Sequence, residues 1–121
     1  MNESQATTSL LRKLKENGHF WKASDRFVAG VPDIVGCLGG RFVGIEMKVD
    51  YNTPSPLQTH VLLQILKHKG YAAVVTYSNK HKSWWILGKE FSLGDAVLHI
   101  IGKIGRGEND IEAVQLQDGT I

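Results

Sequence analysis

The sequence predicts an α/β fold, a mixed sheet flanked by helices, on three observations. Two stretches, 3–16 and 57–69, carry apolar residues at helical spacing. Gly39-Gly40 separates two strand-like runs, and glycine supplies the positive φ that a two-residue hairpin turn requires. The second helical stretch then leads into the apolar run 71–77. A hairpin followed by a helical crossover into a buried strand gives a mixed sheet.

In chain order, Ala6, Leu10 and Leu14 form the stripe of the first helix, which Asn17-Gly18 ends. Residues 19–23 read as a short strand, and 33–38 with 41–49 form the hairpin. Ser55 is the N-cap of the second helix, Pro56 suits its first turn, and Gly70 is its stop. Leu57, Val61, Leu62, Ile65 and Leu66 lie at core spacing along it. Residues 71–77 form a strand buried on both faces. Strand 84–87, a short helix over 92–101 capped by Ser92, and a last strand over 112–116 complete the reading. The order through the hairpin and crossover is α-β-β-β-α-β, within a single domain spanning 1–121. Its core covers about 3–87, and 88–121 is a C-terminal extension to which the sequence assigns no role.

The 121 residues suffice to bury a core without a metal or disulfide staple. The lone Cys37 excludes an internal disulfide and is read as core packing inside the hairpin. No apolar run reaches membrane-span length, and the N-terminal residues lack the basic and apolar pattern of a signal peptide. A cytoplasmic protein is expected. The net charge of +2 hides an asymmetry. Residues 1–50 sum to +1, residues 51–89 carry five lysines and no acid, and residues 90–121 sum to −4. The acid-free third is a candidate polyanion surface, or simply a solvated lysine face. The acidic tail is a candidate neutraliser of that surface, within one chain or across a dimer.

The hairpin makes a geometric prediction. With Gly39-Gly40 as the turn, Leu38 pairs with Arg41, and every further pair sums to 79. Asp33 therefore faces Glu46, and Lys48 projects from the same side, unless a bulge at Gly36 or Gly44 breaks the register. Opposed carboxylates repel, so such a pair calls for a cation or a retained proton. Hard oxygen ligands suit Mg²⁺, with Mn²⁺ as a substitute. Beside them, Lys48 could orient an attacking water and stabilise charge building at phosphorus. Phosphodiester hydrolysis uses these parts.

The run Gly30-Val31-Pro32-Asp33, followed after the hairpin by Glu46-Met47-Lys48, resembles the PD-(D/E)XK nuclease motif and, within that superfamily, the VRR-NUC group. Glu3 on the first helix, Lys22 in the short strand and Gln58 on the second helix extend the resemblance over residues 3–77. It implies a restriction-endonuclease-like core. It also implies Asp33, Glu46 and the Met47 carbonyl as metal ligands, Glu3 approaching the same ion, Lys48 as the catalytic lysine and Gln58 as its companion. Family members cleave DNA with a divalent metal, and small single-domain forms act as homodimers on branched DNA such as four-way junctions. A compact nuclease of this kind suits a phage or mobile element acting in a bacterial host.

Each residue also has a plainer role. Glu3 at a helix start favours the macrodipole. Gln58 fits a capping box with Ser55. Lys22 suits an exposed strand, and of Trp84 and Trp85 one or both suit the core. The histidines lack metal-cluster spacing. The expectation drawn from the whole is a Mg²⁺-dependent DNA endonuclease. It contacts phosphate through Lys22, Lys67, Lys69, Lys80 and Lys82, is selective for DNA structure, and works as a homodimer or higher oligomer. A sequence-reading homing or restriction-type endonuclease is the alternative within the class. A catalytically idle nucleic-acid-binding module on the same fold is the alternative outside it.

Overall fold

A computed structural model describes residues 1–23 and 29–111. Within them lie α1 (Glu3–Leu14), β1 (His19–Lys22), β2 (Ile34–Leu38), β3 (Arg41–Val49), α2 (Pro56–Lys67), β4 (Tyr71–Ser78), β5 (Ser83–Ile86), β6 (Lys89–Phe91) and α3 (Leu93–Gly105). The six strands form one sheet in chain order. Only the β3–β4 pairing is parallel, and α2 makes the crossover between those two strands. The mixed sheet with helices packed on it is the fold class that the sequence predicts. No helix among the described residues is long and apolar enough to cross a membrane.

The alternation of β3 divides the structure. Val43, Ile45, Met47 and Val49 face one way. They join Phe20, Ile34, Tyr71, Ala73 and Val75 in the main core, with Leu10 and Leu14 of α1 and Val97 and Ile100 of α3. On the opposite face a smaller cluster gathers Leu62 of α2 with Ala72 and Ile111. Gly44, Glu46 and Lys48 project toward that second face. The described part of the extension past residue 87 contributes to the main core, because α3 packs there with α1.

The hairpin forms in the expected register, from Leu38 opposite Arg41 to Ile34 opposite Ile45. Gly39 and Gly40 both take positive φ, at 59° and 78°. No bulge interrupts it. Ser55 and Gln58 form the expected capping box, with Pro56 in the first turn. A second box closes α1, where Asn2 and Gln5 exchange side-chain-to-backbone hydrogen bonds and set Glu3 in the first turn.

Several boundaries differ from expectation, for physical reasons. The left-handed residue after α2 is Lys69, at φ 73°, and not Gly70. Lys69 and Gly70 donate their N–H groups to Leu66 and Ile65, the Schellman pattern. A Cβ on Gly70 would lie 2.7 Å from the Ile65 side chain, so glycine serves close packing there. α3 runs past Gly102 to Gly105 because Ile104 still reaches the core. β6 was not expected, since its hairpin turn is Leu87-Gly88, with φ 49° and 75°, and leucine carries no turn signal. Cys37 is exposed, not packed inside. Trp84 is buried and Trp85 half-buried. The strand expected over 112–116 lies outside the described residues.

Gly36 ties β1 to β2 more closely than any side chain would permit. A Cβ there would stand 2.3 Å from the His19 carbonyl oxygen and 2.9 Å from the Phe20 Cα. Gly36→Ala should therefore lose about 2–3 kcal/mol of stability in urea unfolding. Gly94, in the first turn of α3, has nothing within 4 Å of such a Cβ. Gly94→Ala should gain up to about 1 kcal/mol by the same measurement.

Candidate metal centre

The β2–β3 ladder ends at Ile34, and Asp33 lies one residue before it. Instead of continuing the backbone pairing, Asp33 turns its side chain to β3, where the Met47 N–H donates to its Oδ2 at 2.8 Å. The Ala23 N–H donates to the Asp33 carbonyl at 3.0 Å, which holds the same residue from the β1 side. Gly30 sets up this approach. Its φ is 83°, and a Cβ would meet the first turn of α2 at the Leu57 carbonyl oxygen, 3.0 Å away. The Gly-Val-Pro-Asp run thus docks on the helix that carries Gln58.

Glu46, the residue that the register sets against Asp33, is fully buried. Glu3 comes from the start of α1, and one carboxylate oxygen from each of Glu3, Asp33 and Glu46 lies within 4.8 Å of the others. The Lys48 Nζ stands 3.6 Å from Glu46 Oε1. Neither oxygen of Glu46 has a hydrogen-bond partner among the described residues. Burial above all, then the adjacent Asp33 carboxyl and Glu3, pushes the Glu46 pKa up to about 9 against the opposing pull of Lys48.

A buried carboxyl with two unpartnered oxygens beside two further acids is a poor arrangement for stability and a good one for a cation. Three acids and one lysine leave two negative charges, which a divalent ion balances. Ligand oxygens facing one another across Mg²⁺ are about 4 Å apart, within a small side-chain adjustment of the observed spacing. The donor set is all oxygen, as Mg²⁺ and Mn²⁺ prefer.

The remaining expected residues divide by position. Gln58 lies at N3 of α2, where its Oε1 accepts the Ser55 N–H at 2.9 Å and its amide NH₂ has no partner among the described residues. Lys22 reaches α1 beside Glu3, donating to Ser4 Oγ at 3.4 Å. Lys80 and Lys82 lie in the turn after β4, at the sheet end that carries Lys48. Lys67, in the last turn of α2, and Lys69, just past it, flank the other end of β4. The lysines of the acid-free third therefore do not form one continuous face.

Among the described residues, two acids of the tail have partners other than those lysines. Glu108 pairs with Arg106, and Asp110 is buried against Tyr71, His99 and Lys103. The Asn109–Ile111 segment lies along the part of β4 that β5 leaves unpaired. Sequence reading missed one anchor of the site, Asn79. Its N–H and side-chain NH₂ hold both oxygens of Asp50, at 2.8 and 3.1 Å, and the same NH₂ donates to the Met1 carbonyl at 3.0 Å. These bonds fasten the start of α1, and so Glu3, to the sheet end. The partners are far apart in the chain, so no local pattern announces them.

The raised Glu46 pKa has a definite pH consequence. The carboxyl ionises near pH 4.5 when unfolded and near pH 9 when folded, so without metal its contribution to stability is lost progressively as pH rises between those values. In EDTA at pH 8, Glu46→Gln should raise Tm by roughly 4 °C or more. Mg²⁺ or Mn²⁺ should raise the Tm of the wild type and not of the variant. Metal binding must displace the Glu46 proton, so affinity measured by calorimetry should increase from pH 7 toward pH 9.

No protein-family model matches the chain, and no curated protein matches it. Among solved structures it is similar to Hjc of Archaeoglobus fulgidus, a Holliday junction resolvase from an archaeal hyperthermophile, with a TM-score of 0.51 and 22% identity. The match covers 66% of this chain and 70% of that one. What the two share is the fold, a restriction-endonuclease-like α/β arrangement.

Proposed function

We propose that this chain is a divalent-metal-dependent DNA endonuclease of the PD-(D/E)XK type, acting as a homodimer on branched DNA such as four-way junctions. One observation carries the reading. A buried Glu46 with two unpartnered oxygens converges with Asp33 and Glu3, and Lys48 stands 3.6 Å away. The similarity in fold to a Holliday junction resolvase supports the substrate class. Within the superfamily, the VRR-NUC assignment rests on Gly30-Val31-Pro32-Asp33, Glu46-Met47-Lys48 and Gln58.

Asp33, Glu46 and the Met47 carbonyl hold the ion, Glu3 approaches it, and Mg²⁺ or Mn²⁺ is the metal the oxygen donors select. A divalent ion there supplies charge neutralisation at the phosphate and lowers the pKa of water. Lys48 orients the attacking water and stabilises the negative charge that builds at phosphorus. The free NH₂ of Gln58 donates toward the same reacting groups, while its Oε1 stays on the helix cap. Met47 keeps Asp33 in place through its N–H. Lys22, Lys80 and Lys82 contact phosphates on either side of the site, with Lys67 and Lys69 reaching a more distant part of the duplex. Two incisions in a junction need two such sites, hence a second copy of the chain.

Cleavage of four-way junction, flap, linear duplex and supercoiled DNA, with Mg²⁺, Mn²⁺ or EDTA, tests the reading. The junction should be cut in either metal and in EDTA not at all. Lys48→Ala should lower the cleavage rate by about 10²–10⁴ while junction binding persists. Binding without cutting on every substrate would reject the enzyme, and full activity in Lys48→Ala would reject the site. Removing Lys80 and Lys82 together should lower the slope of log affinity against log salt by about 2.

A further inference from the structure

Beside the acidic cluster, past the ends of β3 and β4, lies a cleft of about 340 Å³ lined by Asp50, Tyr51, Ser78, Asn79, Lys80 and His81. Its volume is that of a small-ligand site. Lys48 pairs with Thr76 in the parallel ladder, so Asp50 and Ser78 stand two residues farther along, about 7 Å past Lys48. The cleft opens next to the point where the phosphate would be attacked.

Its walls are held in place. Asp50, at φ 57°, is locked to Asn79 through both carboxylate oxygens, which joins the turn after β3 to the turn after β4. Those two hydrogen bonds also hold the Asp50 carboxyl below its ordinary pKa and occupy its charge. The Asn52 N–H closes the first turn onto Val49. In the second turn the His81 N–H donates to Ser78 Oγ, and its ring lies 5.9 Å from that of Trp85. Trp85 is itself fixed by Ser83, and Ser83 by Glu90.

On this rigid frame Tyr51 is 93% exposed, the most exposed large hydrophobic side chain among the described residues. This aromatic ring, held out into water on a pinned turn three residues from Lys48, is covered by little among the described residues. Its faces are free for a planar partner, and Lys80 lines the same cleft with Lys82 two residues on. Aromatic rings beside lysines are how proteins hold unpaired nucleotides.

We propose that this cleft receives one unpaired nucleotide next to the scissile phosphate, its base stacked on Tyr51 and its phosphate held by Lys80. The inference rests on the nuclease reading and deepens it. A base can reach Tyr51 only where the strand leaves the duplex stack, as it does at a branch, gap or flap. The cleft thereby selects DNA by structure and not by sequence, because every base offers a flat face.

The test uses 2-aminopurine placed in turn at each position around the branch of a four-way junction and in a gapped duplex, with Ca²⁺ replacing Mg²⁺ to prevent cutting. For the wild type, one position beside the cut should change fluorescence on binding. Tyr51→Ala should lose that change and bind the branched and gapped DNAs about tenfold more weakly, with unaltered affinity for continuous duplex. Tyr51→Phe should retain both properties. Since Tyr51 touches little of the fold, both variants should keep the wild-type Tm. If the wild type binds junctions and Tyr51→Ala binds them equally well, or loses duplex affinity to the same extent, the stacking site is rejected while the nuclease reading stands. If the wild type binds none of these DNAs, both fall together.

Discussion

The opposition of Asp33 and Glu46 at the open end of the β2–β3 hairpin is the constraint on which the site depends. Among the described residues neither oxygen of the buried Glu46 has a hydrogen-bond partner, and its neighbours Asp33 and Glu3 carry the same sign. Burial and like charge both resist ionisation, so the group keeps its proton until pH reaches about 9. A fold shaped only for stability would place an apolar residue there. The surrounding structure instead maintains the arrangement: Gly39-Gly40 fixes the register, Gly30 lets the Asp33 loop sit on α2, and the Met47 N–H orients the Asp33 carboxylate.

The two faces of β3 carry separate tasks. Ile45 and Met47 anchor the strand in the core shared with α1 and α3, while Glu46 and Lys48, one step out of phase, face the candidate metal centre. A slip of one residue would turn Lys48 into the apolar core and Met47 toward the acidic cluster, so the core's packing protects the site's alignment. The parallel neighbour β4 ends at the same side of the sheet. Its following turn brings Asn79, Lys80 and His81 next to the turn after β3. The proposed catalytic and recognition groups thus lie side by side.

Much of this was legible because the signals are local. The Gly-Gly turn, with Asp33 six residues before Gly39 and Glu46 six after Gly40, encodes the carboxylate pair by arithmetic, provided that no bulge forms. Ser55-Pro56 with Gln58 encodes the start of α2 equally directly. Legibility failed where a long-range contact overrode a local preference. Lys69 takes the left-handed position because Gly70 must clear Ile65. α3 continues through Gly102 because Ile104 is wanted in the core. Cys37, an apolar residue within a strand, is exposed because it faces the side of the sheet away from α1 and α3.

By itself the sequence determined the fold class, the hairpin register and the opposition of Asp33 to Glu46, since each follows from strand periodicity and turn geometry within a few residues. Tertiary structure alone decided that Glu3 joins them, because the start of α1 is tied through Asn79 to a turn seventy-eight positions from Met1. It also decided how the lysines divide. Lys80 and Lys82 end up beside the site and Lys67 and Lys69 at the opposite end of β4, a separation made by a strand that counting charges along the chain does not reveal.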